Sequence, residues 1–303
     1  MELRHLRYFI AVAEEGSVTL AAARRLHTAQ PSLGRQLRDL EREVGAQLLI
    51  RTVRGIELTA AGRAFLDHAR LALSQVEAAT SAARRAAHPE QRTLALGFLS
   101  GCEPEWLPAV MHVLREELPN IEVTISSKHS PQLAEGLATG KLDAAFMRLE
   151  EGHPDVVYKV LITEPLIVVL PSDHRLVSHD AIQPLDFVGE TFIGMADQAP
   201  VLHSVIEDYF RRSGIDLHPA HRAEYISMAM SLVASTRGLT LLPEFARNFL
   251  TRLVTSRPLA GEAPSVDLVL GYHKANTSPL LKLFLSRADE LIARVSKTSG
   301  GLE

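Results

Sequence analysis

The stretch Ala21–Leu40, AAARRLHTAQPSLGRQLRDL, constrains the fold most, because its apolar residues follow the spacing of two short helices joined by a tight turn. The first helix is predicted over about 18–27, with Ser17 as its N-cap. The second is predicted to begin after Thr28, its expected N-cap, with Pro31 in the first turn, where a missing N–H costs nothing. This pattern is typical of a helix-turn-helix.

The second helix leaves one polar face free. Its apolar residues fall at i, i+4, i+7 and i+11 and form a single stripe: Leu33, Leu37, Leu40 and Val44. The polar residues lie off that stripe: Gln30, Ser32, Arg35, Gln36 and Arg38. Glutamine and arginine make paired hydrogen bonds to base edges in the major groove, and serine contacts phosphates. The face therefore suits DNA, and the alternative is a helical bundle with a solvated polar surface.

A basic turn follows directly, flanked by two short apolar runs within Gln47–Thr59. The pattern predicts a β-hairpin whose tip is a wing along the minor groove or backbone, with Arg51 and Arg54 as candidate contacts. The alternative is an ordinary hairpin with exposed arginines. Residues 1–88 hold 13 arginines and nine acidic residues, a balance of +4 in a chain of net charge −4. Nucleic-acid contact is therefore expected at the N-terminal end.

A long helix is predicted next, over about 60–86 with Thr59 as its cap. Its apolar seam is spaced 3, 4, 3, 4, 3 and comprises Leu66, Ala69, Leu73, Val76, Thr80 and Ala83. The seam either packs on its own domain or pairs with a second copy of the chain, and its length favours a dimer. A dimer would place two helix-turn-helix units on two half-sites. Residues 87–92 read as a hinge.

From Thr93 the pattern changes to alternating strands and helices, β-α-β-α-β, which indicates a mostly parallel sheet. Two strands, Val156–Ile162 and Leu166–Leu170, lead into a second α/β block. The chain returns through a strand at Val266–Tyr272 and a closing helix at Ser278–Val295. Two such lobes make a cleft, and ligands of these sheets bind at strand ends near helix N-termini.

Composition limits the alternatives. No apolar run reaches the length of about 20 residues of a membrane helix, and no signal peptide is evident, so a cytoplasmic protein is expected. A solute-binding protein would need such a signal. An enzyme could use Cys102 as nucleophile with His129, His153 or His174 as base, but no local motif supports a pairing. The 13 histidines are scattered, so neither a metal site nor a cofactor is expected.

These residues together resemble the LysR-type transcriptional regulators of bacteria. The likeness is strongest in LRHLRYFIAVAEEGSVTLAAARRLHTAQPSLGRQLRDLEREVGAQLLIR and RGIELTAAGRAFL, and continues in GFLSG, LPNIEV and LAEGLATGKLDAAFMRL. It implies an α/β chain with an N-terminal all-α winged helix-turn-helix, a long linker helix and a two-lobed effector domain like periplasmic binding proteins. It also implies double-stranded promoter DNA and a small-molecule inducer as partners, and a dimer through the linker helix that usually forms a tetramer in the bacterial cytoplasm, associated with the nucleoid.

The resemblance implies three domains: 1–58 for DNA binding, 59–88 for the linker, and 93–303 for the effector. Within the last, lobe I is expected over about 93–162 and 266–296, and lobe II over about 163–265. The family's DNA contacts, carried over by position, fall on Thr28, Gln30, Pro31, Ser32, Arg35 and Arg54. The segment Val18-Thr19-Leu20 is one residue longer than in many members, which affects only where the second helix starts.

The inducer cleft is expected at the ends of strands and helices. Its predicted residues are Ser100, Gly101 and Cys102 after the first strand, Ser130 as a helix N-cap, Arg148 after strand Leu142–Met147, and the facing segment from Phe192 to Pro200. AAFMRL resembles the subset that senses aromatic-degradation intermediates, where an arginine here meets an inducer carboxylate through two hydrogen bonds. The alternative for Arg148 is a salt bridge to Glu150, Glu151 or Asp155.

Overall fold

The computed structural model describes residues 1–26, 29–53, 55–87, 93–117 and 121–299, and divides into two units, Met1–Arg84 and Arg85–Glu303. The elements of the N-terminal unit are, in chain order, α1 (Leu3–Glu15), α2 (Val18–Leu20), a π-helical turn (Ala21–Arg25), α3 (Gln30–Val44), β1 (Leu49–Thr52), β2 (Gly55–Leu58) and α4 (Ala60–Ala87). The order confirms the predicted helix-turn-helix followed by a hairpin and a long helix.

Local sequence explains where these helices begin and end. α1 ends at Gly16, whose φ of 60° is a left-handed conformation that favours glycine. The Ser17 hydroxyl then accepts a hydrogen bond from the Leu20 N–H at 3.3 Å, as expected of an N-cap. The predicted second helix is α2 continued by the π-helical turn. The N-cap of α3 is Ala29 and not the predicted Thr28, which lies outside the described residues.

The hydrophobic core of the N-terminal unit joins the hairpin and α4 to the three short helices. Its buried apolar residues come from α1, the π-helical turn, α3, the residue before β1, and α4: Leu6, Phe9, Ala11, Val12, Ala21, Ala22, Leu33, Leu37, Leu40, Leu48 and Ala69. The predicted cap of α4 is confirmed, because the Gly62 N–H donates to the Thr59 hydroxyl at 2.9 Å. A Cβ at Gly62 would lie 2.0 Å from the Leu48 carbonyl oxygen, so only glycine allows this close approach.

The seam of α4 has two parts. Leu66, Ala69 and Leu73 pack against the core of their own unit. Thr80 and Ala83 are exposed, and Val76 is half-buried. The first predicted alternative, packing on its own domain, is therefore confirmed for the first half of the helix. In the second half, the exposed Thr80 and Ala83 leave pairing with a second copy as a prediction.

The C-terminal unit is built on one seven-stranded sheet of order β10-β6-β11-β5-β3-β4, with β9 also paired to β6. Its strands are β3 (Thr93–Leu99), β4 (Glu122–Lys128), β5 (Ala144–Met147), β6 (Val156–Pro171), β9 (Thr240–Pro243), β10 (Val254–Pro258) and β11 (Ser265–His273), and a separate pair consists of β7 (Ile193–Met195) and β8 (His221–Ala223). The strands β3, β4 and β5 are parallel, as predicted.

The helices cover this sheet. They are α5 (Glu103–Glu117), α6 (Ser130–Ala138), α7 (Pro200–Arg212), α8 (Ile226–Thr236), α9 (Pro279–Ser286) and α10 (Ala288–Ser299). Among the helices of the described ranges, none combines the length and apolar character that crossing a membrane requires.

Two predicted elements differ from the structure. The strands predicted at Val156–Ile162 and Leu166–Leu170 form one continuous strand, β6. Its first half pairs with β11, and its second half pairs with β9 and β10. The predicted closing helix, Ser278–Val295, is divided into α9 and α10 at Arg287.

Separate cores on the two halves of β6 define two lobes. In lobe I, the buried residues lie within 94–161 and 268–295 and surround Phe98, Trp106, Phe146 and Phe284. In lobe II, they lie within 166–266 and surround Phe187, Phe192 and Phe210. β6 and β11 contribute to both, so the lobes share a continuous sheet.

Candidate functional site

The N-terminal half of α3 presents a polar surface. Gln30, Pro31, Ser32 and Arg35 are all exposed in its first two turns, while Leu33 and Leu37 are buried. Exposed backbone N–H groups at a helix N-terminus favour phosphate, and the exposed side chains are of the types that bond to bases. The structure thus brings together four of the six predicted DNA contacts. The other two, Thr28 and Arg54, lie outside the described residues.

Gln36 is a correction to the free polar face. Its Oε1 lies 2.7 Å from Nε2 of His5 on α1, so the side chain links the two helices. The helical period placed Gln36 beside the apolar stripe but could not show that α1 supplies a polar partner there. The free polar face of α3 is therefore narrower than predicted.

Ion pairs hold the helices behind this surface. Glu14 of α1 accepts hydrogen bonds from Arg25, which ends the π-helical turn, and from Arg70 of α4. Burial raises the pKa of Glu14, but the hydrogen bonds from Arg25 and Arg70 outweigh burial and leave its pKa below the ordinary value. These two exposed arginines therefore pair with an acidic residue of their own unit, although they contribute to its basic composition.

A cleft of about 540 Å³ lies between the two lobes. Its lining is mainly apolar with a few polar groups, as is usual for small-molecule sites. The lining residues are Leu99, Ser100, His129, Ser130, Arg148, Glu150, Met195, Gln198, Ala199, Val201, Leu202, Glu224, Tyr225, Ile226, Leu242, Pro243 and Phe245.

Three helices begin at this cleft. The N-cap residues of α6, α7 and α8 are His129, Ala199 and Tyr225, and all three line it. Helix N-termini carry partial positive charge, so the cleft favours an anion. The rings of His129 from lobe I and Tyr225 from lobe II stack at 5.3 Å with an interplanar angle of 24°, which joins the lobes across the cleft.

Arg148 lies at the floor of the cleft and is only 4% exposed. Its Nη2 pairs with Glu164 Oε2 at 2.7 Å, and its guanidinium carbon lies 5.8 Å from the centre of the Phe245 ring. Its backbone N–H donates to the Ser130 hydroxyl at 2.9 Å. Nη1 is buried and has no hydrogen-bond partner among the described residues. The guanidinium is therefore only partly satisfied by the described residues.

The alternative predicted for Arg148, a salt bridge, is confirmed, but the predicted partners are wrong. The predicted Glu150, Glu151 and Asp155 are near in sequence, whereas Glu164 reaches Arg148 from the middle of β6. Burial raises the pKa of Glu164, and the Arg148 guanidinium opposes that rise. Ser130 is also not an N-cap: His129 occupies that position, and the Ser130 hydroxyl orients the backbone of Arg148 instead.

Of the seven predicted effector residues, Ser100, Ser130 and Arg148 line the cleft. Cys102 is buried in the core of lobe I, and Phe192 packs against Phe187 and Phe210 in lobe II. Gly101 and Pro200 adjoin the lining without belonging to it: Gly101, at a φ of 102°, backs onto Ile226 and Phe245, and Pro200 begins α7. Strand ends were correctly placed at the cleft, but which side chains face it depends on packing.

Residues that the sequence did not single out complete the cleft: Glu224, Tyr225 and Phe245 line it beside the predicted residues. Glu150, which the sequence suggested only as an ion-pair partner of Arg148, lines it too. Phe245 belongs to a 3₁₀-helical segment almost 100 residues after Arg148, so no local pattern could have joined the two. The polar residues at the starts of α6, α7 and α8, by contrast, could be found from the sequence, because each lies before a run of residues with helical apolar spacing.

Cys102 should be unreactive in the folded protein. It is 1% exposed, and burial, with a smaller contribution from Glu103, raises the pKa of its thiol well above the ordinary value, so little reactive thiolate forms. We expect negligible labelling by a disulfide reagent at pH 8 in native protein and one thiol per chain in urea. Rapid native labelling would contradict this burial. These properties oppose the role of an activated nucleophile.

Comparisons with known proteins agree with both units. Residues 3–63 match the bacterial regulatory helix-turn-helix proteins of the lysR family, and residues 87–292 match the LysR substrate binding domain. The chain is 37% identical to the Hca operon transcriptional activator HcaR of Escherichia coli K12, over 98% of this chain and 100% of HcaR.

Solved structures show the same arrangement of elements. Full-length CbnR complexed with its target DNA is similar with a TM-score of 0.57 at 26% identity, over 96% of this chain and 100% of CbnR. Full-length BenM, a regulator of Acinetobacter baylyi, is similar with a TM-score of 0.60 at 27% identity, over 99% of this chain and 98% of BenM. The predicted fold class is confirmed, and the alternative hypotheses of a solute-binding protein and of an enzyme are wrong. The chain belongs to the LysR family and is a DNA-binding transcriptional regulator with a domain for a small-molecule effector.

Proposed function

We propose that this regulator responds to a small aromatic carboxylate bound in the cleft at Arg148. The observation that carries the proposal is the buried guanidinium whose Nη1 has no partner among the described residues. A carboxylate completes that donor with a charge-assisted hydrogen bond. The Ser130 side chain and the N-terminus of α6 lie at the same place and favour negative charge there.

The remainder of the cleft suits an aromatic ring. Leu202, Ile226, Leu242 and Phe245 are among its apolar walls, as is usual for a small-molecule site. Phe245 already stands under the guanidinium, so a ring that follows the carboxylate would extend an aromatic surface.

The residues proposed to contact promoter DNA are Thr28, Gln30, Pro31, Ser32, Arg35 and Arg54. The exposed face of α3 supports the four that the structure describes. The similarity to CbnR, whose structure was solved with its target DNA, supports the use of this unit on a duplex. We further propose that the protein acts in the cytoplasm on nucleoid DNA, and that it pairs through the exposed second half of the α4 seam and assembles into a tetramer.

Ligand binding would regulate DNA binding by favouring one arrangement of the lobes. His129 and Tyr225 touch across the cleft, so a ligand that enters it contacts residues of both lobes at once. A ligand shifts a conformational equilibrium only by its difference in affinity for the two states. Closure around Arg148 would then change the packing between dimers and the spacing of their recognition helices. A DNA footprint and bend that stay unchanged with saturating ligand would contradict this step.

Arg148→Lys tests the ligand site with little disturbance of the core. Lysine keeps a positive charge for Glu164 but has a single nitrogen, so it lacks the second nitrogen, Nη1, that is proposed to meet the ligand carboxylate. We expect the thermal stabilisation by benzoate-type acids, about 2.7 kcal/mol at 100 times the dissociation constant, to be largely lost. Gel-shift affinity for promoter DNA without ligand should be retained.

The matched control is Arg175→Lys, since Arg175 forms a surface pair with Glu190 in lobe II and does not line the cleft. It should respond to the acids like the wild type. Full stabilisation of Arg148→Lys by the acids would rule out Arg148 as their partner.

A further inference from the structure

We infer that the effector is an aromatic monocarboxylate that carries a neutral hydrogen-bonding group, such as a hydroxyl, and that the cleft selects against dicarboxylates. This inference rests on the proposed function of the cleft and names the class of ligand more narrowly.

The charges of the cleft provide for a single anion. Among the described residues that line it, Arg148 is the only arginine or lysine, whereas Glu150 and Glu224 are both acidic. Glu164 already pairs with one side of the Arg148 guanidinium. A first ligand carboxylate can join Arg148 at Nη1, but a second would share the same 540 Å³ with two acidic side chains and no further cation of the described lining.

Atoms of the cleft that lack a hydrogen-bond partner indicate a neutral hydrogen-bonding group on the ligand. Besides Arg148 Nη1, two buried atoms of the lining have no hydrogen-bond partner among the described residues: Glu150 Oε1 and His129 Nε2. A carboxyl oxygen accepts when ionised, and a neutral imidazole nitrogen donates or accepts according to its tautomer. A ligand hydroxyl can both donate and accept and so can satisfy either atom, whereas a carboxylate can only accept.

The protonation behaviour of both residues agrees with a neutral partner. Burial lowers the pKa of His129, with Glu224 opposing the shift, so the imidazole stays uncharged and adds no cation. Burial also raises the pKa of Glu150. Leaving such groups unpaired in a buried site is unfavourable, and a site built to hydrogen-bond a ligand hydroxyl rejects analogues that lack it.

Helix N-termini do not provide a second anion site of equal strength. That of α6 adjoins Ser130 and Arg148 and serves the same anion. The N-terminus of α8 follows directly after Glu224, whose carboxylate is already at that end of the cleft. The N-terminus of α7 begins at Ala199, and the neutral side chain of Gln198 before it also suits a hydroxyl.

Two matched series of acids test the inference on the full-length protein by isothermal titration. The para series is benzoate, 4-hydroxybenzoate and terephthalate; the meta series is benzoate, 3-hydroxybenzoate and isophthalate. In each, hydrogen is replaced by a hydroxyl or by a second carboxylate on the same ring. We expect one hydroxybenzoate to bind about 2–10-fold more tightly than benzoate, the gain from one added hydrogen bond. The two dicarboxylates should bind at least about 10-fold more weakly than benzoate.

Variants of Glu150 assign the hydroxyl to its partner. Glu150→Leu should abolish the advantage of the hydroxybenzoate over benzoate while benzoate still binds. Glu150→Gln should keep much of that advantage, since an amide still bonds to a hydroxyl, and should bind dicarboxylates more tightly than the wild type because one acidic charge is gone. Glu151→Gln is the control, because Glu151 is the exposed neighbour that does not line the cleft.

The outcomes separate the inference from the function on which it rests. A dicarboxylate that binds as tightly as the hydroxybenzoates overturns the inference and leaves the proposed carboxylate site intact. A hydroxyl advantage that survives Glu150→Leu unchanged overturns the assignment to Glu150. If none of the five acids binds, the proposed function itself fails. Because each comparison is a ratio within one variant, a general loss of folding is not mistaken for selectivity.

Discussion

Replacing Arg148 with methionine should lower the free energy of unfolding by about 3–5 kcal/mol, the cost of leaving a buried charge without its partner. Glu164 is 5% exposed, and its Oε2 lies 2.7 Å from Arg148 Nη2. Without the guanidinium, its carboxylate would remain in an apolar surrounding and would have to be protonated or hydrated. Urea unfolding of the full chain, followed by circular dichroism, measures the loss.

The double variant Arg148→Met/Glu164→Met shows whether the uncompensated carboxylate is the cause. Buried ion pairs replaced on both sides by apolar residues are often neutral or more stable, so the double variant should recover most of the lost stability. Arg175→Met is the surface control, because its pair with Glu190 is largely solvated on the arginine side and should contribute less than about 1 kcal/mol. A double variant as unstable as the single one would show that Arg148 stabilises through packing.

The loss should also depend on pH in a defined direction. Burial raises the pKa of Glu164 in the folded state, and Arg148 opposes that rise, so Arg148→Met should raise it further. A carboxyl whose pKa is raised by folding stabilises the protein below its unfolded pKa and loses that contribution as pH increases through its folded pKa. The deficit of Arg148→Met should therefore shrink from pH 8 toward pH 5. An unchanged deficit would argue against an ionised Glu164.

Replacing Arg35 with alanine should weaken specific DNA binding by about 1–3 kcal/mol at each half-site, which is about 5–150-fold, if Arg35 contacts a base edge. Arg35 is exposed on the second turn of α3, on the face opposite Leu33 and Leu37. The measurement is a gel shift at several salt concentrations with DNA upstream of a neighbouring divergent operon. Binding to unrelated DNA should change far less.

The control lies on the same helix. Arg42, in the last turn of α3, is exposed and pairs with Asp39, so Arg42→Ala removes the same charge away from the N-terminal surface. We expect almost wild-type specific affinity. A uniform loss on all sequences with a shallower salt dependence would make Arg35 a phosphate contact. Arg35→Ala indistinguishable from the wild type at moderate salt would remove it from the interface.

The N-terminal unit was largely predictable because its information is local. The caps at Ser17 and Thr59 and the long helix that follows Thr59 are predicted by apolar spacing and by single residues that begin helices. The exceptions involve contacts between elements. The hydrogen bond of Gln36 to His5 and the division of the α4 seam into a packed and an exposed half are set by which helices meet.

The sequence alone determined the order of the elements, the helix-turn-helix surface and the position of Arg148 at the end of β5, because spacing, caps and strand ends act over a few residues. Only the tertiary structure decided what surrounds Arg148. It brought Glu164 from the middle of β6 and Phe245 from lobe II to one guanidinium, and it placed the Ser130 hydroxyl of α6 at the Arg148 backbone N–H. It also buried Cys102 and Phe192 away from the cleft. Those environments depend on packing between distant segments. Burial among them leaves the Arg148 guanidinium a partly satisfied charge, because a buried polar group finds only the partners that packing brings to it.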